Sequence, residues 1–145
     1  MIKKLFLIPF ILFSLISLPV WSNAVDGKGL ICKKIEDNKK LMGIQFGKDK
    51  VTYFYMNFEY DKVKVVKIRE KYLTDIKNIK WGDGRFRLNR KKLEIEYNSP
   101  FEEKYVPFAN NCRLFNDTST FNLEWDNLKK KAQEDYDSQL KGNKL

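Results

Sequence analysis

Glu94 and Glu96 are carboxylates two positions apart, so on an extended strand they share one face, the arrangement from which a glycosidase-like acid and base pair could be built. They alternate with Leu93, Ile95 and Tyr97, which reads as a solvent-facing row beside lysines of neighbouring strands. Nothing around them suggests the burial that raises a carboxylate pKa for general-acid work. The chain has no histidine, which excludes the Ser-His-Asp triad, the Cys-His dyad and the His-Glu-x-x-His zinc site. Gly82-Asp83-Gly84 lacks the spacing and the strand-to-helix setting of a phosphate loop and reads as a hairpin turn. No catalytic residue, metal site or cofactor is therefore assigned, and a small envelope hydrolase working through carboxylates remains an alternative.

Cys32 and Cys112 are the only cysteines. In an exported chain an even pair reads as a disulfide, and two cysteines permit one connectivity. The bond would span 80 positions of sequence and stabilise by about 4.5 kcal/mol in the chain-entropy account. A reactive pair would need Cys-x-x-Cys spacing or a histidine to raise the thiolate fraction, and neither is present.

Binding chemistry is better supplied. Lys77, Lys80, Arg85, Arg87, Arg90, Lys91 and Lys92 stand against the single Asp83, with Trp81 and Phe86 interleaved. The pattern is superficially that of a nucleic-acid surface, but export makes nucleic acid an unexpected partner. An anionic envelope component such as lipopolysaccharide or a glycan, or an acidic protein, would suit the same face. The competing reading is a solvated outer face whose charges stop a sheet from pairing edge to edge. Tyr53 and Tyr55, joined by Trp81, could line an aromatic pocket, and equally could be core.

Export is inferred from the start of the chain. Lys3 and Lys4, an apolar stretch over 5–20 and the small residues Ser22 and Ala24 are laid out as a signal peptide over 1–24. Sixteen residues, Pro9 and Pro19 among them, are short for a membrane span of about twenty, so no transmembrane segment is expected after cleavage. Removing 24 of 145 residues leaves 121, enough for one domain. The leader holds two of the 28 basic residues and none of the 19 acidic ones, so the remaining chain carries a net +7, a balance that favours polyanionic surfaces. Lysine outnumbers arginine 23 to 5, as AT-rich bacterial coding would give, and on that ground the glycosylation sequon at Asn116 is discounted.

The elements that must position these residues are mostly strands. Three alternating runs, Ile79–Trp81, Phe86–Leu88 and Leu93–Tyr97, form a meander broken at Gly82-Asp83-Gly84 and Arg90-Lys91. Ahead of it, 29–35, 41–46, 51–58 and 62–69 read as strands. The run over 51–58 is apolar on both faces and so should be covered on both sides. Val63 and Val65 differ in parity from Val66 and Ile68, which predicts a β-bulge, and 70–75 is expected to be a loop or a short helical turn. A further strand over 105–115 carries Pro107, hence an edge or a bulge. Phe121, Trp125, Leu128, Ala132 and Tyr136 give the stripe of an amphipathic helix from about 120, packed on the sheet, and 141–145 should be a flexible tail.

Gly27-Lys28-Gly29-Leu30-Ile31-Cys32, Ile79-Lys80-Trp81, Leu88-Asn89-Arg90-Lys91-Lys92-Leu93 and the ending Lys141-Gly142-Asn143-Lys144-Leu145 together resemble a family of small exported hypothetical proteins from AT-rich marine alphaproteobacteria. The family pattern has threonine at Lys92 and isoleucine at the last position. The resemblance implies a free-standing exported domain and brings no activity and no site residue with it. The expectation is one disulfide-linked domain over 25–140, mainly β: an antiparallel meander or small barrel-like sheet of seven or eight strands with one C-terminal α-helix. Its expected role is that of a non-enzymatic binding or interaction module, periplasmic or secreted in a Gram-negative bacterium. A small barrel-type hydrolase inhibitor or apolar-ligand carrier is the related alternative, by fold analogy.

Overall fold

The computed structural model describes residues 25–37, 39–101 and 103–142, so the expected leader and the last three residues of the expected tail lie outside the described residues. Eight strands follow in order: β1 (Gly29–Lys34), β2 (Leu41–Phe46), β3 (Lys50–Glu59), β4 (Lys62–Thr74), β5 (Asn78–Trp81), β6 (Phe86–Asn89), β7 (Glu94–Asn98) and β8 (Tyr105–Phe115). Helix α1 (Thr118–Gly142) follows β8 and takes in the first two positions expected to be tail. Each strand pairs antiparallel with the next, and β8 returns to β1, so the sheet closes into a barrel. Among the described residues no helix is long and apolar enough to cross a membrane.

Period-two alternation sorts every strand into an inner and an outer row. Leu30 and Cys32 of β1, Ile44 and Phe46 of β2, Val51 of β3, Ile79 and Trp81 of β5, Leu88 of β6 and Ile95 of β7 fill the interior. An eight-stranded barrel is just wide enough for side chains to fill in this way. The outer row of β1 to β4 would leave Ile31, Phe54, Met56 and Val65 wet, and α1 covers them with Phe121 and Trp125. The helix can lie this close because Gly29 and Gly43 occupy the outer row beneath its rings. A Cβ at Gly29 would stand 2.5 Å from Phe121, and one at Gly43 would stand 2.9 Å from Trp125. β3 is therefore covered on both sides, as its two apolar faces require.

Two expectations on β4 are corrected. Its ladder with β3 runs without a shift from Lys50↔Lys71 to Glu59↔Lys62, so there is no bulge on that pairing. The parity change has another cause: Val65 packs outward under α1, while Tyr72, at the opposite parity, joins the interior. Residues 70–74 are strand, because Tyr72 and Thr74 pair with Trp81 and Ile79 of β5. The bulges lie on β8 instead, one opposite Ile95/Glu96 beside Pro107 and one opposite Ile31/Lys33. At the second, Asn111 takes a left-handed conformation (φ 49°). The extra residue reverses the parity of β8 between Ala109 and Leu114 and places Cys112 against Cys32. The expected disulfide between these two is present, at the seam where the last strand meets the first.

Asp117 starts the helix. Its carboxylate accepts the Thr120 N–H at 2.8 Å and the Thr120 hydroxyl, which is N-cap geometry. These bonds, the backbone one foremost, hold the carboxyl below its ordinary value. A folded-state pKa below the unfolded one means that the cap stabilises at neutral pH and is lost as pH falls through the folded value. Protection of the Ser119 to Phe121 amides, taken relative to the unstructured exchange rate at each pH, is expected to fall on acidification below about pH 4, the ordinary carboxylate range. Asp117→Ala should show the lower protection at neutral pH already, with no acid step of its own.

Candidate anion-binding wall

α1 crosses the outside of the barrel obliquely, from β8 and β1 at its start to the β3–β4 hairpin near its end, where Gln133 accepts the Val63 N–H and Tyr136 donates to the Tyr60 carbonyl. The lower part of the β3–β4 face is left uncovered. Its outer row on β4 reads Lys67, Arg69, Lys71, Leu73, every second residue, all exposed. Pairing extends this row sideways: Lys50 of β3 stands opposite Lys71, Lys80 of β5 opposite Leu73, and Arg87 of β6 opposite Lys80. The result is a continuous wall of six cations, Lys50, Lys67, Arg69, Lys71, Lys80 and Arg87, with exposed Leu73 and Ile76 at its lower rim.

Two of the cross-strand pairs are like-charged, Lys50↔Lys71 and Lys80↔Arg87. Directly opposed like charges on a sheet destabilise it. Only Arg87 has a carboxylate partner: its Nε and Nη2 both lie 2.7 Å from Glu96 Oε2, and its guanidinium stacks 3.9 Å over the Tyr105 ring. Lys67 sits over the Phe54 ring. Among the described residues no carboxylate comes within ion-pair distance of Lys50, Lys67, Arg69, Lys71 or Lys80. Asp75, whose carboxyl Lys80 influences only weakly, has its oxygen taken by the Asn78 and Lys77 N–H groups, which hold it below the ordinary value.

The seven cations singled out in the sequence are dispersed. Lys80 and Arg87 stand side by side on the wall. Lys77, Arg90, Lys91 and Lys92 occupy the β4–β5 and β6–β7 turns at its lower end, tied together by the Arg90 N–H to the Lys77 carbonyl. Arg85 sits in the β5–β6 turn with its guanidinium 3.9 Å from Glu70, whose position on β4 alternates with the outer row of the wall. Sequence reasoning missed Lys50, Lys67, Arg69 and Lys71, although the alternation over 67–73 carried the signal.

Tyr53 and Trp81 of the aromatic set do come together, around Phe86. Its ring stacks on Trp81 at 5.4 Å and meets Tyr53, Tyr97 and Phe108 at 5.1 to 5.7 Å, so rings fill the space between them. Tyr55 stands apart, under the Lys34 ammonium. Burial first, then the Glu70 carboxylate, push the Tyr53 phenol above its ordinary value, against a smaller opposing pull from Arg85. Glu94 and Glu96 both face outward on β7, Glu94 exposed and Glu96 bound to Arg87, beside a dent over the β7–β8 bulge. They do not converge on one point as an acid and base pair must. Among the described residues no three Asp, Glu or Cys side chains gather as a metal site would require. No family model, curated protein or solved structure matches this chain.

Proposed function

We propose that this is a non-enzymatic, exported binding module of a bacterial envelope, and that the β3–β4–β5–β6 wall is the surface with which it holds an anionic component. The carrying observation is the pair of opposed like-charge contacts, Lys50↔Lys71 and Lys80↔Arg87, on a face with one carboxylate among six cations. Protection of a sheet edge does not account for them, since a closed barrel has no edge to protect. A polyanion laid across the wall relieves the repulsion and gains from each cation. Exposed Leu73 and Ile76 at the rim, 78% and 75% accessible, favour an anion that also carries acyl chains, as lipopolysaccharide does. The disulfide suits an oxidising compartment such as the periplasm.

Binding to immobilised lipopolysaccharide in rising salt tests this reading. Lys71→Glu with Lys80→Glu should weaken it at least about 30-fold, counting roughly 1 kcal/mol for each of two lost cations. Lys71→Glu alone places an acid opposite Lys50 and should leave the barrel as stable or slightly more so. Arg85→Glu, at a side chain that turns to Glu70 and not onto the outer row, should change binding less than either wall reversal. Binding indifferent to both salt and the double reversal removes the proposal.

A further inference from the structure

Among the described residues the interior is not fully closed at the lower end of the barrel. Between the chain entry and the β6–β7 turn lies a hollow of about 130 Å³, walled by Leu30, Phe46, Ile79, Leu88 and Leu93 and bordered by Lys28 and Arg90. Its floor is core: Leu30, Ile79 and Leu88 are almost wholly inaccessible. Its lip includes Leu114, which is partly exposed. An apolar cavity of about 150 Å³ takes up benzene, so this one, somewhat smaller but open at its lip, has room for a short acyl tail.

The rim fixes the charge of the occupant. Lys28 and Arg90 are both partly buried, and among the described residues no carboxylate lines the hollow. Arg90 spends one N–H, from Nη1, on the Asp75 carbonyl at 3.0 Å. A guanidinium has five, and its other side-chain N–H groups meet no acceptor among the described residues. Lys28 likewise forms no ion pair among the described residues. The turn that carries this rim is tightly specified. Asn89 Oδ1 accepts the N–H groups of both Lys91 and Lys92, and Leu93 is held at φ 53°, a conformation that a leucine adopts only under strain. In that position Leu93 forms part of the wall of the hollow that Arg90 borders.

We infer that the lower hollow is a binding site for a small amphipathic anion, a monocarboxylate with a short acyl tail, with the tail on Leu30, Ile79 and Leu88 and the carboxylate between Lys28 and Arg90. It uses none of the six wall cations, so it stands or falls apart from the wall. Hexanoate is the probe, with hexan-1-ol (tail without charge) and acetate (charge without tail) as comparisons, read by methyl resonances of the purified protein. Hexanoate should shift the Leu30, Ile79 and Leu88 methyls with a dissociation constant on the order of 1 mM, as expected for so few non-hydrogen atoms. Hexan-1-ol should bind about tenfold more weakly, the loss of one charge-assisted contact, and acetate should not shift those methyls. Arg90→Gln should weaken hexanoate to the level of the alcohol. Because Arg90 also ties the turn to Asp75, Lys28→Gln, which breaks no such bond, repeats the measurement with the turn intact. Methyls that ignore hexanoate, or that respond alike to hexanoate and hexan-1-ol in all three proteins, overturn the inference.

Discussion

Reducing the Cys32–Cys112 bond, or replacing both residues by alanine, is expected to cost the barrel about 4.5 kcal/mol and to lower its melting temperature by some 15 to 20 °C. The bond closes a loop of sequence separation 80, and in the chain-entropy account its loss frees that loop in the unfolded chain. Its location makes the effect a matter of topology as well as length. Strands β1 to β8 pair each with its neighbour in sequence, and the β8–β1 seam is the one long-range closure. Without the crosslink that seam must recover its loop-closure cost from backbone pairing across a bulge. A domain of this size is stable by about 5 to 15 kcal/mol, so the reduced form should be marginal at 37 °C. Thermal melts with and without a reductant give the answer. A melting point moving by only a degree or two would mean that pairing and the helix hold the seam without help.

How much of this was legible in the sequence differs between strands and surface. Alternation and turn chemistry located the meander of β5 to β7 and the two covered faces of β3, because each of those signals is local. β4 was half legible. Its change of parity over Val63 to Ile68 came from a helix that begins about fifty residues later, and Glu70 to Thr74 looked like a loop because their partners on β3 and β5 are what make them strand. The wall was missed for the same reason. Four of its six cations lie on β3 and β4 and join Lys80 and Arg87 only through register. The density of charge over 77–92 drew attention to Arg85, which the fold turns to Glu70 and away from the outer row. The lower hollow takes residues from five separate segments, and no spacing within any one of them announces it.

Phe121→Ala is expected to cost about 3 to 5 kcal/mol, the range for removing a fully buried aromatic ring, and to release α1 from the barrel. The ring is inaccessible to solvent. It lies parallel to Trp125 at 6.3 Å, tilted on Phe54 at 5.5 Å and edge-on to Phe115 at 5.8 Å, so its removal leaves a void in the middle of the outer core. A helix with so many polar positions has little reason to persist alone in water, and the Lys129–Lys131 stretch should become open to trypsin. Leu123→Ala, on the exposed side of the same helix at 66% accessibility, should stay within about 0.5 kcal/mol of the parent. Gly29→Ala tests the contact from the other side. Its Cβ would meet the Phe121 ring at 2.5 Å, an overlap that typically costs about 1 to 3 kcal/mol. Combined with Phe121→Ala the overlap vanishes, so the double variant should be more stable than the two losses added together. Urea titrations of the four proteins settle the matter: strict additivity, or a Phe121→Ala protein whose lysines stay protected from trypsin, would show that the helix is not seated through this ring.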